Sequence, residues 1–206
     1  MELYCRMSVG IIYFFQMAAL TSFYRKTDDK KILYNAASET PLSLVIRSTW
    51  VFAVIASISL YVGFPALLGW GELHLNNTVR VIGIILGIAS DLLILWILAS
   101  LGRNISAALK VRDNQRLVTE GPYRYVRHPL YTAGIPLFFS IALISSNWFL
   151  GLIGIGFQLF VMLVRTPLEE KMLLDHFGEE YRSYMKNTGA HFPKINVCSM
   201  KRIRGA

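Results

Sequence analysis

The chain has 206 residues, of which 54% are hydrophobic and only 17% charged, with a mean hydropathy of +0.44; that is too apolar for an ordinary soluble domain and marks a membrane protein. Its net charge of +8 raises nucleic acid as a partner, but the basic residues flank apolar runs and form no separate soluble domain, so the expected partner is the lipid bilayer. Cys5 and Cys198 at opposite ends, and the scattered His74, His128, His176 and His191, supply neither a disulfide framework nor a metal-ligand spacing, and no Walker or dinucleotide-type glycine pattern is present.

The first apolar run, about Met7 to Tyr24, has no basic leader beyond Arg6 and no Ala-x-Ala-like exit, and reads as an uncleaved spanning helix. A polar link with Arg25, Lys26, Lys30 and Lys31 leads to a second run, about Leu42 to Leu68. Its one charge, Arg47, can snorkel to the nearer interface, and Gly63, Pro65 and Gly69 predict a kinked or frayed end. The third run, about Val79 to Leu101, contains Gly83 and Gly87, a small-xxx-small spacing for close helix packing. It also carries Asp91 in mid-span, where an ionisable group is a functional candidate by default. A structural role is the favoured reading, either pairing with a polar neighbour such as Gln16 or Gln158 or, when protonated, holding helices together.

A polar segment from Gly102 leads into the densest stretch of the chain, Gly121-Pro-Tyr-Arg-Tyr-Val-Arg-His-Pro-Leu-Tyr-Thr-Ala-Gly134. Gly121-Pro122 marks a turn. Pro129 biases His128 toward extended backbone and can open the next helix. Arg124, Arg127 and three tyrosines suit either a site or a plain anchor to lipid headgroups, since both residue types are common at the interface. From Leu130 to Val164 the chain is apolar again, broken at Ser145-Ser146-Asn147. That predicts a helical hairpin with arms of roughly 17 residues, each about 25 Å long and a little short of the hydrocarbon core. The hairpin returns the chain to the side it left.

Beyond it, Leu173, Leu174, Phe177, Tyr181, Tyr184 and Met185 recur at helical spacing, with Gly178 as an interruption. This predicts amphipathic helices lying on the membrane or over the central loop. A basic tail, 196–206, follows. Lysine and arginine concentrate in alternate links, which places the N-terminus outside and the C-terminus in the cytoplasm. The sequence thus predicts an all-α polytopic integral membrane protein with about five transmembrane helices and a cytoplasmic C-terminal helical segment. It divides into N-terminal spans (1–101), a core of loop, hairpin and amphipathic helices (102–195), and the tail.

Two stretches, 121–134 and 165–184, therefore share one surface. The second opens Arg165-Thr-Pro-Leu-Glu169-Glu170. In a continuous helix Arg165 and Glu169 lie on one face. The competing local reading is a capping box, with Thr166 as N-cap, Pro167 in the first turn and Glu169 reaching back.

Leu117-Val-Thr-Glu-Gly-Pro-Tyr123, Arg127-His-Pro-Leu-Tyr131, Arg165 with Glu169-Glu170, Phe177-Gly-Glu-Glu-Tyr181 and Tyr184 together resemble the isoprenylcysteine carboxyl methyltransferase family and its prokaryotic relatives. The likeness covers roughly Asn104 to Ile195; membrane phospholipid N-methyltransferases share the cofactor pattern. It implies an integral-membrane enzyme moving a methyl group from S-adenosylmethionine to a lipophilic acceptor. It implies that Gln115, Arg116, Leu117, Val118 and Tyr123 line the cofactor, that His128, Pro129, Leu130 and Tyr131 hold it, and that Glu169 binds its polar end. Arg165 would hold the acceptor carboxylate. The chain departs from the family at Pro167-Leu168, where eukaryotic members often carry acidic residues.

The chemistry is consistent with these residues. Methyl transfer from a sulfonium needs alignment and exclusion of water, and no metal. A carboxylate is already anionic at neutral pH, whereas an amine acceptor must be neutral, which calls for desolvation or a base such as His128. The alternatives are phospholipid or other amine N-methylation and, from another class, a small transporter. Few polar residues line the spans and no inverted repeat is apparent, which argues against transport.

Overall fold

The computed structural model describes residues 1–26, 41–102 and 116–194. Lys30, Lys31, Gln115 and the 196–206 tail lie outside the described residues. The helices are α1 (Glu2–Lys26), α2 (Pro41–Gly63), α3 (Asn77–Leu101), α4 (Pro129–Ser145), α5 (Trp148–Phe177) and α6 (Glu179–Asn187). Among the described residues there is no strand, only two isolated bridges. The helices α1, α2, α3 and α5 are long and apolar enough to cross a membrane, and α4 is a shorter apolar helix. These are the five expected apolar segments.

Local sequence sets the ends. After Gly63 the chain tightens into a 3-10 turn, Pro65–Gly71, with proline in its first turn, where the missing N–H costs nothing. Asn76 caps α3 by accepting from the Val79 N–H at 3.0 Å. Asn147 caps α5 by accepting from Phe149 and Leu150. Pro129 is the first residue of α4.

Between helices in lipid there is little hydrophobic drive, so close packing and hydrogen bonds do the work. Gly83 and Gly87 seat α3: an added Cβ at Gly83 would lie 2.8 Å from Leu143 Cβ, and one at Gly87 2.7 Å from Ile12 Cδ1 and 3.0 Å from Ser140 Oγ. The small-residue pair therefore brings α3 against both α4 and α1. Val9, Ile12, Ile58, Ile94, Leu137, Ile141 and Leu150 fill the interior.

One end of the bundle is closed by polar side chains. Arg80 donates from Nε to the Ile144 carbonyl at 2.8 Å and pairs through Nη1 with Glu2 at 2.7 Å. Arg6 donates to the Val62 carbonyl, the Tyr61 hydroxyl to Glu2, and the Asn147 amide to the Leu68 carbonyl at 2.8 Å. So α1, α3 and α5 start at this end, and α2 and α4 finish there. The central loop and the second half of α5 lie at the other.

The structure departs from the hairpin expectation in its second arm. The helix α4 has the expected 17 residues, but α5 has 30 and runs straight through Pro167. At ~1.5 Å per residue it is about 45 Å long, enough to cross and project beyond the hydrocarbon. Pro167 removes the N–H that would have bonded the Leu163 carbonyl and sets its ring against that carbonyl, yet the helix continues to Phe177. The capping box does not form: Thr166 Oγ1 faces His191 Nε2 at 3.2 Å, and Arg165 and Glu169 share one face of a continuous helix. Asp91 is buried on α3, and its Oδ1 and Gln16 Oε1 have no hydrogen-bond partner among the described residues. The expected pairing with Gln16 or Gln158 is not formed.

Candidate active site

The central loop is built to be held. Gly121 has φ +59°, and a Cβ there would lie 2.8 Å from Ser100 Oγ at the end of α3, so glycine satisfies both the backbone and the contact. The 3-10 turn Gly121–Arg124 follows and buries Tyr123. The Tyr123 carbonyl accepts from the Tyr184 hydroxyl of α6. Burial pushes that phenol's pKa up to about 12, against the charge of Arg127, so it remains a neutral donor. Val126 bridges to Gly189; the Arg127 N–H donates to the Gly189 carbonyl at 2.8 Å and the His128 N–H to that of Ala190 at 2.9 Å. The loop is thereby joined to the segment that follows α6.

Side chains then converge. Arg127 donates from Nε and Nη2 to Glu170 Oε1 at 2.9 and 2.6 Å, and from Nη1 to the carbonyls of Met185 and Thr188. It ties α5 to the C-terminal end of α6, where a cation is favoured by the helix dipole. His128 sits between two carboxylates, Nδ1 3.4 Å from Glu169 and Nε2 3.3 Å from Glu170. Its ring stacks on Tyr131, with centroids 5.9 Å apart and planes 9° from parallel. The Tyr131 hydroxyl donates to Glu169 Oε1, and Arg165 Nη2 lies 3.3 Å from the same oxygen. Both glutamates are about one-fifth exposed, 21% and 17%, sheltered yet reachable.

His128 is buried, which disfavours its charged form; hydrogen bonds to Glu169 and Glu170 and their charges outweigh that, and its pKa is raised above 6.5. His191 goes the other way. Burial lowers its pKa, and the neighbouring His128 lowers it further, so its ring is neutral at neutral pH. The two rings are 5.6 Å apart.

Of the residues singled out in the sequence, His128, Tyr131, Arg165 and Glu169 come together in this cluster. Pro129 is buried at the start of α4 and Leu130 packs against the core. Tyr123 reaches the cluster through its backbone bond to Tyr184. Arg116, Leu117 and Val118 lie on a segment without regular structure ahead of Gly121: Arg116 is exposed, and Val118 packs against the core. Gln115 lies outside the described residues. Sequence reasoning quoted Arg127 and Glu170 within motifs without giving them roles; their adjacency to His128 and Glu169 was the available signal. Thr166 was read only as a helix cap and His191 only as one of four scattered histidines, because nothing local announces that the chain after α6 turns back onto α5. Among the described residues no group of three or more His, Cys, Asp or Glu is arranged to hold a metal ion.

The model of the family described as phospholipid methyltransferase matches residues 78–180, half of the chain. Protein-S-isoprenylcysteine O-methyltransferase B of Arabidopsis thaliana is 26% identical over 174 residues, 80% of this chain and 83% of that protein. A methanethiol S-methyltransferase of Pseudomonas deceptionensis is 34% identical over 79 residues, 35% of this chain and 27% of that protein. The solved structure of a eukaryotic intramembrane Ras methyltransferase, isoprenylcysteine carboxyl methyltransferase, superposes with a TM-score of 0.55 at 21% identity, covering 94% of this chain and 71% of that one. That last likeness speaks for the fold.

Proposed function

The chain belongs to the phospholipid methyltransferase family, and from that premise we propose that this integral-membrane methyltransferase moves a methyl group from S-adenosylmethionine to the carboxylate of a lipophilic, isoprenylcysteine-like acceptor. The observation that carries the proposal is one shared atom. Glu169 Oε1 accepts from the Tyr131 hydroxyl and faces Arg165 Nη2 at 3.3 Å. A carboxylate suited to a cationic, donor-rich cofactor and a buried guanidinium suited to an anionic acceptor therefore stand side by side.

The donor set suits that cofactor. Glu169 offers acceptor oxygens for hydroxyls or an amine, and the stacked rings of His128 and Tyr131 offer flat faces beside them. When bound, S-adenosylmethionine supplies an electrophilic methyl group on a sulfonium. The chain's own residues orient and exclude. Glu170 fixes the His128 ring through Nε2 and is itself held by Arg127. Tyr131 and His128 fix Glu169 from two directions. Arg165, buried to within 9% of full coverage, can grip both oxygens of a carboxylate in its planar fork.

A carboxylate acceptor is favoured over an amine by His128. An amine must be made neutral, by desolvation or by a base, and His128 lies against two carboxylates that favour its charged form, which unsuits it as that base. The names of the Arabidopsis relative and of the superposed structure support the same acceptor class. The basic links at the site end support a cytoplasmic site with an outside N-terminus.

The test is transfer of labelled methyl from S-adenosylmethionine by the purified full chain to N-acetyl-S-farnesylcysteine. The expected product is a base-labile methyl ester. Base-stable label in phosphatidylethanolamine, with none in the farnesylcysteine, would move the amine reading ahead.

A further inference from the structure

His191 belongs to none of the motifs above, yet the residue is held at three points, two of them on its ring. Its backbone carbonyl accepts from Thr132 Oγ1 at 3.0 Å, its Nε2 faces Thr166 Oγ1 at 3.2 Å, and its ring lies against His128. Gly189 makes the turn that delivers it: a Cβ there would fall 1.8 Å from the Phe192 carbonyl oxygen. Despite this anchoring, Nδ1 is buried and has no hydrogen-bond partner among the described residues. A buried polar atom left unmatched on a fixed ring is costly unless something binds to it.

The contact with Thr166 favours a hydrogen on Nδ1. Thr166 is buried on α5, and the hydrogen bond of its hydroxyl is the one to His191 Nε2. With Thr166 donating to Nε2 the hydroxyl hydrogen is matched and the neutral ring keeps its hydrogen on Nδ1; the opposite tautomer leaves both the hydroxyl hydrogen and the Nδ1 lone pair unmatched. The lowered pKa of His191 agrees with a neutral ring. Nδ1 is then an uncommitted N–H donor on a ring that lies against His128 and is held by Thr166, the residue that follows Arg165 on α5.

We propose that His191 is an acceptor-binding residue whose Nδ1–H donates to one carboxylate oxygen of the methyl acceptor, so that Arg165 and His191 together select an anionic headgroup. This rests on the carboxylate reading above and adds a specificity determinant to it. No proton is transferred: the acceptor oxygen is already anionic, and the donor only holds it.

The test uses two replacements that each keep one half of the imidazole. Asparagine places an amide near the position of Nδ1; glutamine reaches toward that of Nε2. In the full chain in detergent, His191→Gln should raise KM for N-acetyl-S-farnesylcysteine, and its dissociation constant in an equilibrium titration, about 10- to 100-fold. Its affinity for S-adenosylhomocysteine and for the farnesylcysteine methyl ester, which lacks the anion, should stay within about twofold. His191→Asn should recover most of the loss. Unchanged binding of the free acid by His191→Gln overturns the assignment. So does the reverse order, with glutamine mild and asparagine severe, because that marks the Thr166 contact as the only role of the ring. Wild-type protein that binds S-adenosylhomocysteine but methylates no carboxylate instead removes the underlying reading, and His191 with it.

Discussion

The two ends of this bundle are both polar, and they are polar in different ways. At the closed end Arg6 and Arg80 donate to the carbonyls of Val62 and Ile144, which lie in the last turns of α2 and α4. Those carbonyls lack intrahelical partners, so the side chains there complete the backbone and fasten helix to helix. At the other end two glutamates gather side chains around them: Arg127 to Glu170, His128 to both glutamates, Tyr131 and Arg165 to Glu169. Carboxylates and cations that hold one another can exchange those partners for the charged groups of a ligand. Buried charge alone marks neither end as a site; what the charge bonds to separates them.

Substitutions at the two ends should therefore separate activity from stability. The largest effect is expected from Arg165→Ala, which removes the fork proposed to hold the acceptor. Transfer to a carboxylate should fall by roughly 2–5 kcal/mol in kcat/KM, about 30- to several-thousand-fold, while S-adenosylhomocysteine affinity changes little. Arg165→Lys should recover only part. Wild-type transfer by the alanine variant would argue against an anionic acceptor.

Arg80→Ala should show the opposite pattern. It loses a buried guanidinium, its bond to Ile144 and its packed stem, about 2 kcal/mol of stability. The ion pair itself contributes little of this, because Glu2 is more than half exposed. Thermal melting in detergent should drop, and the folded fraction should bind cofactor normally. A loss of cofactor affinity without a loss of stability would collapse the distinction between the ends.

A smaller effect should appear in pH dependence. The folded protein holds a proton on His128 more tightly than the unfolded chain does. The stabilisation is therefore complete below about pH 6.5 and fades as pH rises through the raised pKa. The difference in melting temperature between wild type and His128→Gln should be greatest in mild acid and shrink toward higher pH. A difference that grows with pH would mean that the ring is neutral in the folded state.

Much of the site end was legible because its residues cluster in sequence. Pro129 set the start of α4, and Arg165 and Glu169 fell at helical spacing. The continuation of α5 through Pro167 was not legible. The local signals of Thr166, Pro167 and Glu169 spelled a helix start, and tertiary contacts overrode them once Thr166 found His191. The closed end was illegible throughout: Glu2, Arg6, Tyr61, Arg80 and Asn147 are each isolated in the chain and meet only when the bundle forms. Asp91 looked functional by position, but neither of its expected partners pairs with it.

The central claim is that the loop and α5 form a cofactor site, and calorimetric titration of the purified full chain with S-adenosylhomocysteine tests it most directly. Saturable binding of one molecule per chain is expected, weakened about 10- to 100-fold by Glu169→Gln through loss of a charged acceptor. The absence of binding by folded, monodisperse wild-type protein would contradict it.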